Sequence, residues 1–339
     1  MIFYNLNKIY TVKTEVKTMK LGVMNPVLNS YSLEDALKYL HGLGVQSLEV
    51  GAGGFPGNVH LKPEELIGKP EAVKAYRALF DKYEIEIAAI SCHGNPLHPQ
   101  KEVAEKFHSE FINAILAAEA LGVDTIIGFA GCPGDSENSM YPNWVTCPWP
   151  DDFGKILDWQ WNEKVIPYWK KTAEFAKQHG IKKIAFEMHP GFVVYNPETL
   201  LRLRAAVGDI IGANVDPSHL FWQGINPVSA IKALKGAIYH FHAKDTKIDE
   251  RNCAVNGVLD TKSYGEIADR SWVFRTIGYG HGKEVWNDII SMLKTVGYDG
   301  VISIEHEDGL MSSNEGLEKA IAFLKDVLIY ENAGEMWWA

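Results

Sequence analysis

The stretch GANVDPSHLFW, residues 212–222, decides how the rest of the chain is read. Ile210 to Val215 is a short apolar run of the kind that makes a buried strand, and Asp216 stands where it stops. Pro217 lacks a backbone donor and ends the ladder there. His219 follows three residues after Asp216, near enough to share the same space. A carboxylate and an imidazole at the carboxyl end of a strand occupy the place where an α/β barrel keeps its chemistry. A single Asp before Pro also makes an ordinary turn or helix cap, so the weight falls on whether such strand ends recur.

They do recur on either side. Strands are expected at Leu21–Met24, Ser47–Val50, Ile85–Ser91, Thr125–Phe129, Lys183–Phe186, Ile210–Val215, Ile238–Phe241 and Val301–Ile304. Between them lie helical patterns near Leu33–Leu43, Glu71–Tyr83, Val103–Leu121, Val285–Thr295 and Glu315–Ile329, with another ending about His179. The apolar runs are short and mostly unalternating, as in strands buried on both faces. Eight strand–helix units argue for α/β architecture closed as a (β/α)8 TIM barrel. No G-x-G-x-x-G follows a strand, which counts against a dinucleotide fold. We expect one barrel over residues 19–330, preceded by an N-terminal arm or appended segment at 1–18 and followed by a tail at 331–339.

Composition sets the outer bounds. With 339 residues and 46% hydrophobic content the chain can bury a large core, and no segment is apolar enough to span a membrane. A formal charge of −10 gives no electrostatic footprint for nucleic acid. Cys92, Cys132, Cys147 and Cys253 form no C-x-x-C pair, and residues 1–18 lack the apolar core of a secretory signal. A reducing, cytoplasmic setting is expected.

The strand ends carry the chemistry. The fifth delivers Glu187 and His189, the sixth Asp216 and His219, the seventh His240, His242, Lys244 and Asp245, and the eighth Glu305, His306, Glu307 and Asp308. The third adds His93. Three carboxylates converging on one barrel mouth repel one another unless a cation joins them. Oxygen donors with one imidazole suit Mn²⁺ or Mg²⁺, and Zn²⁺ and Co²⁺ are compatible. The expected metal set is Glu187, Asp216, His242 and Glu305. Alternation puts His240 and His242 on one side of their strand; His242, nearer the carboxyl end, is favoured as ligand and His240 as a structural imidazole. His189 is a candidate second acid/base, with turn packing as its rival. His93, Lys244 and Asp245 are candidate substrate contacts, Lys244 and Asp245 alternatively forming a salt bridge at the rim. His306, Glu307 and Asp308 read as rim charges.

With Asp-x-x-His at 216–219 and His-x-Lys-Asp at 242–245, this set resembles the sugar phosphate isomerase/epimerase superfamily, the xylose isomerase-like barrels, over about residues 20–330. The resemblance implies one divalent metal on Glu187, Asp216, His242 and Glu305, with Glu187 and Glu305 doubling as the acid/base pair and His219 binding substrate oxygen. Glu-x-His at 187–189 also resembles the catalytic subunits of C-glycoside deglycosidases, which implies lyase action on 3-oxo-glycosides with a small second subunit. Endonuclease IV-like members carry additional histidines for a trinuclear zinc site. Here the fourth strand ends Gly128-Phe129-Ala130-Gly131, and the loop Trp272–His281 has no Asp-x-His.

The shared first step of this chemistry is loss of a proton α to a carbonyl, with an ion stabilising the enediolate. Isomerisation, epimerisation and β-elimination diverge only afterwards. Trp144, Trp149, Trp159 and Trp161, with Tyr141 and Phe153, lie in one long connection; they suit a sugar's C–H face or a flat aglycone, or else a satellite cluster on the barrel's flank. A small neutral sugar is the expected partner. Trp337 and Trp338 need burial, on this barrel or against a neighbouring chain in a homo-oligomer or a hetero-oligomer. A non-catalytic sugar-binding subunit is the reading from another class.

Overall fold

The structure is a computed structural model describing residues 18–331 and 334–338. Its strands are β1 (Lys20–Met24), β2 (Ser47–Gly54), β3 (Glu86–His93), β4 (Thr125–Gly128), β5 (Lys183–Glu187), β6 (Ile211–Val215) and β7 (Ile238–Ala243). After them come a small antiparallel pair, β8 (Asp245–Ile248) and β9 (Trp272–Arg275), and finally β10 (Val301–Ile304). All but β8 and β9 close into one parallel barrel in the order β1-β10-β7-β6-β5-β4-β3-β2, so the expected TIM barrel is the fold. Closure is made by β1, which pairs Lys20 with Val301 on one side and Gly22 with Ser47 on the other. The expected arm lies, apart from Thr18, outside the described residues.

The barrel interior changes character along its axis. Ala89, Ile127 and Ala185 form a small apolar cluster with Tyr239 packed against it. Two residues further along the strands, alternation brings Ser91, Glu187 and Phe129 to the same inner side, while Asn214/Asp216, His240/His242 and Ser303/Glu305 step upward in pairs. The outward faces meet the helices in a continuous core, in which Trp169 and Trp286 are fully buried. Local signals fix several helix ends. Ser32 caps Leu33–Gly42 by accepting from Asp35 N, and Gly122, at φ 66°, ends Lys101–Leu121 in the left-handed region.

Two segments depart from expectation. The connection Cys132–Trp161 is not loop throughout: Asp151–Trp159 is helical and continues through the π-helical turn Gln160–Val165 into Ile166–Gln178. Asp151 and Asp152 in its first turn complement the helix dipole, a signal masked by the surrounding aromatics. The insertion expected after β7, residues 246–282, is anchored by β8 and β9, whose partners lie far apart in sequence, so no local pattern reveals the pairing. Trp272 of β9 stacks on Trp222, centroids 4.6 Å apart, tying the insertion to the stretch that follows Asp216. Trp337 and Trp338 are 87% and 69% exposed and meet each other edge-on rather than packing on the barrel. No helix among the described residues is long and apolar enough to cross a membrane.

Gly212 shows how tightly β6 fits. A Cβ there would meet the Tyr239 ring at 2.2 Å and Ala237 O at 2.7 Å, and Tyr239 is held by hydrogen bonds with Arg204 and Asp209. Gly212→Ala is expected to cost about 1–3 kcal/mol of stability through overpacking, read as a lower urea midpoint at unchanged slope. A midpoint equal to the parent's would mean that Tyr239 moves aside freely.

Candidate metal centre

Strands β5, β6, β7 and β10 are successive neighbours in the barrel, so their carboxyl ends converge. One donor atom each from Glu187, Asp216, His242 and Glu305 lies within 4.8 Å of all the others. His242 Nδ1 is 2.9 Å from Glu305 Oε2 and 3.4 Å from Glu187 Oε2. Glu187, Asp216 and His242 are buried, and the Glu305 side chain keeps 16% exposure toward the mouth. Asp216 is both things its sequence context allows. Its Oδ1 caps the short helix Pro217–Trp222 by accepting from Ser218 N at 2.8 Å, while Oδ2 faces the cluster.

The donor set fits a divalent ion. Asp216 Oδ2, Glu305 Oε2 and His242 Nδ1 are buried and make no aligned hydrogen bond among the described residues, although neighbours stand at ion-pair distance. Three carboxylates and one imidazole offer the hard, mostly oxygen coordination that such an ion takes. This cluster could therefore hold a metal.

The flanking candidates divide. His93 Nε2 and His219 Nε2 stand 3.1 and 3.0 Å from the two oxygens of Glu187, with His219 also 3.3 Å from Asp216 Oδ2. Burial opposes ionisation of Glu187, but the imidazoles of His219, His242 and His93 outweigh it and hold its pKa well below the usual carboxylate range. His189 sits against His219 and Phe129, with Nδ1 2.6 Å from Pro190 O. Burial, aided by His219 and Lys244, takes its pKa down to about 4, so it is neutral at pH 7.

Lys244 is not a rim residue: it is 2% exposed, with Nζ 3.1 Å from Asp216 Oδ2, 2.9 Å from Glu305 Oε2 and 3.1 Å from Glu307 Oε2. Asp245 corrects the substrate-contact expectation. Its carboxylate is fully buried and accepts from the backbone of Thr246, Gly278, Gly280 and His281, and from Trp286 Nε1. Those bonds fasten the end of the insertion and leave it no lone pair for a sugar. Asp308 is likewise internal, holding Arg275 Nε at 3.0 Å and Thr276 N at 2.8 Å.

One residue escaped the sequence reading. Glu49 of β2 is fully buried, and its Oε2 accepts from His240 Nε2 and His242 Nε2, both at 2.9 Å, and from Ser303 Oγ at 3.1 Å. It backs His242 from beneath, so that Nε2 is engaged and Nδ1 faces the cluster. The available signal was a lone Glu inside the run Ser47–Val50, where the strand pattern calls for an apolar or small residue.

Above the cluster opens a cavity of about 200 Å³ lined on one side by Glu187, His93, Lys244 and Glu305 and on the other by Phe55 and Phe129. The tryptophans of the long connection are elsewhere. Trp161 is buried with Arg202 over its ring, Trp144 packs on Tyr195, and Trp149 is 74% exposed. The aromatic wall of the site is therefore Phe55 and Phe129, with Phe192 stacked behind Phe129.

The closed parallel barrel is the architecture of the xylose isomerase-like TIM barrels. Residues 37–327 match the model of that family, and the chain belongs to it. YfiH, an uncharacterized protein of Bacillus subtilis, is 37% identical over 313 residues, spanning 91% of this chain and 99% of that one. Among solved structures, a D-tagatose 3-epimerase-like protein superposes with a TM-score of 0.60 at 23% identity, over 91% of this chain and 98% of that one. The IOLI protein, described with a binding zinc atom, gives 0.62 at 19% identity over the same shares. These two likenesses are of fold.

The electrostatics of the cluster would make metal binding there pH-dependent. Burial opposes charge on His242, yet Glu49 and Glu305 raise its pKa well above the usual imidazole value, so Nδ1 carries a proton at neutrality. Burial also lifts Asp216 to about 6 against the pull of Lys244. A cation at these atoms must displace those protons. Apparent Mn²⁺ affinity is expected to rise with pH through neutrality, about tenfold per unit for each proton displaced, and more steeply below about pH 6. Titration calorimetry in buffers of different ionisation enthalpy reads both affinity and proton release. Glu49→Gln should make the slope near neutrality shallower, since His242 loses a carboxylate that keeps it charged. An affinity independent of pH in the parent would remove His242 from the ligand set.

Proposed function

We propose that the protein is a divalent-metal-dependent keto-sugar isomerase or epimerase that removes the proton next to a carbonyl. The observation that carries this reading is the convergence of Glu187, Asp216, His242 and Glu305 beside a cavity of sugar size that Glu187 and Glu305 line, with Asp216 Oδ2, His242 Nδ1 and Glu305 Oε2 buried and without an aligned hydrogen bond among the described residues. Membership of the xylose isomerase-like family and the D-tagatose 3-epimerase-like neighbour support it. Mn²⁺ suits the oxygen-rich set best, and the binding zinc atom of the IOLI neighbour supports a divalent ion. When bound, such an ion polarises the sugar carbonyl and stabilises the negative charge developing on its oxygen.

The rest belongs to the chain's own side chains. Glu187, ionised and oriented by His93 and His219, is the base that takes the α-proton. Glu305, which projects from β10 across the cluster from β5, serves the other side of the reacting carbon. Removal at one face and return at the other inverts a centre; return at the neighbouring carbon isomerises. Lys244 offers N–H groups to a sugar oxygen, and Phe55 and Phe129 cover the ring's C–H face and exclude water.

The eliminating alternative asks His189 to protonate a leaving group. Burial lowers the pKa of that imidazole to about 4, so it holds no proton to give at pH 7. A purely sugar-binding role gives no use for so many buried ionisable groups, each costly to desolvate.

Glu187→Gln is expected to keep much of the bound metal, since an oxygen donor remains, and to lose turnover by ~10²–10⁴-fold. Deuterium incorporation at the α-carbon of keto-sugars in D₂O with Mn²⁺ measures the step directly. Exchange near the parent's rate would exclude Glu187 as the base.

A further inference from the structure

Two of the four candidate ligands already share a cation. Lys244 Nζ stands 3.1 Å from Asp216 Oδ2 and 2.9 Å from Glu305 Oε2. These are the same two oxygens that are buried without an aligned hydrogen bond among the described residues. The ammonium therefore meets them as charge alone. Its aligned hydrogen bond goes to Glu307 Oε2 at 3.1 Å, and Nζ also lies 4.7 Å from the centre of the Phe274 ring. Glu307 and Phe274 stand outside the cluster. Both line a second cavity, of about 460 Å³, which borders the first where His189 and Glu307 belong to both walls.

The two kinds of attachment differ in consequence. A carboxylate held only by a nearby positive charge exchanges it for an ion of higher charge. An aligned charge-assisted hydrogen bond and a cation–π contact add direction, so they retain the ammonium. The backbone stays out of such an exchange. Ala243 is paired with Ile304 in the barrel ladder, and Asp245 is fastened to the N–H groups of Gly278, Gly280 and His281. What moves is the Lys244 side chain on its flexible four-carbon stem, toward the open space beside Glu307.

We propose that Lys244 is a tethered counter-ion that competes with a divalent ion for Asp216 and Glu305, yielding those oxygens while Glu307 and Phe274 keep its ammonium at the border of the two cavities. Lys244 is thus a positioning residue: it holds the carboxylates ionised and in place, and lowers affinity for the ion by doing so. The N–H groups that it withdraws from Asp216 and Glu305 become free for a sugar oxygen, so recognition by Lys244 follows the ion. This deepens the proposed function and rests on it for the divalent ion.

The test compares the full-length parent with Lys244→Met, which keeps the stem without the charge, and Lys244→Gln, which also keeps a hydrogen-bond donor. Each is stripped by chelation and titrated with Mn²⁺ by calorimetry at mildly alkaline pH, where protons no longer compete for the same oxygens. Both variants are expected to bind Mn²⁺ at least ~10-fold more tightly than the parent, through loss of a like charge close to the ion. Their metal-free Tm should lie below the parent's and rise further with Mn²⁺. A variant that folds only with Mn²⁺ present supports the proposal as well, since the ion then replaces the missing cation. Equal or weaker affinity in both variants would overturn it, the ammonium then shaping the carboxylates for the ion instead of competing. Failure of both to fold even with Mn²⁺ would overturn it too. Mn²⁺ binding to the parent without a gain in the variants defeats the counter-ion alone; no binding to any of the three proteins defeats the metal centre, and the counter-ion with it.

Discussion

Everything at the mouth of this barrel follows from the need to keep buried carboxylates ionised. Glu49, Glu187 and Asp216 are fully or almost fully buried and Glu305 nearly so. Like charges about 4 Å apart repel by about 4 kcal/mol at an effective dielectric of ~20, and each burial adds a desolvation cost of several kcal/mol. Two internal cations hold the group together in the structure. His242 lies between Glu49 below and Glu305 above, and Lys244 lies among Asp216, Glu305 and Glu307. Each raises its own pKa well above the ordinary value by doing so. A metal entering the cluster would relieve the same repulsion, which makes this arrangement a poised one: proton and ammonium on one side, a divalent ion on the other.

The barrel frame supplies this poise through parity. A step of two residues along each strand moves from structural to reactive chemistry on the same inner side. Ala185 becomes Glu187, Asn214 becomes Asp216, His240 becomes His242 and Ser303 becomes Glu305. The lower members are buried, with His240 and Ser303 held by Glu49, so the upper ones are supported by a packed column rather than by a flexible loop. The insertion is fastened to the column at the next step. Asp245, one residue beyond Lys244, gathers the backbone N–H groups of Gly278, Gly280 and His281. The wall of the site is thus pinned within two or three residues of its floor.

This explains what could be read from the sequence. The eight strands were legible because strands buried on both faces are apolar runs with little alternation. The convergence of Glu187, Asp216, His242 and Glu305 was legible because each polar residue breaks such a run at its end. Glu49 was not, because it lies within its run and its partners, His240, His242 and Ser303, are remote in sequence. Lys244 and Asp245 look interchangeable as adjacent polar residues beyond a strand, yet alternation sends one into the cluster and the other to the loop behind it. The tryptophans of the long connection misdirected attention for a related reason: aromatic content marks a need for burial, and Trp161 met that need beneath the helix Pro197–Val207, with Arg202 across its ring.

Floor and wall consequently carry different information. The floor depends on a few inward side chains whose roles follow from charge and distance, and it constrains the reaction class while saying little of the substrate. The walls come from Phe55 and Phe129 in one direction and from the insertion and the β10 loop in the other. The insertion and the β10 loop lie outside the barrel's hydrogen-bond ladder, so they can change in length and composition without disturbing parity or register. Under the proposed chemistry, the first step, loss of an α-proton, is set by the floor, and the choice of molecule by what overhangs it. Here the overhang is apolar and twofold, a narrow polar-floored space opening sideways into a wider aromatic one. Under the proposed function, discrimination falls on these walls rather than on the floor.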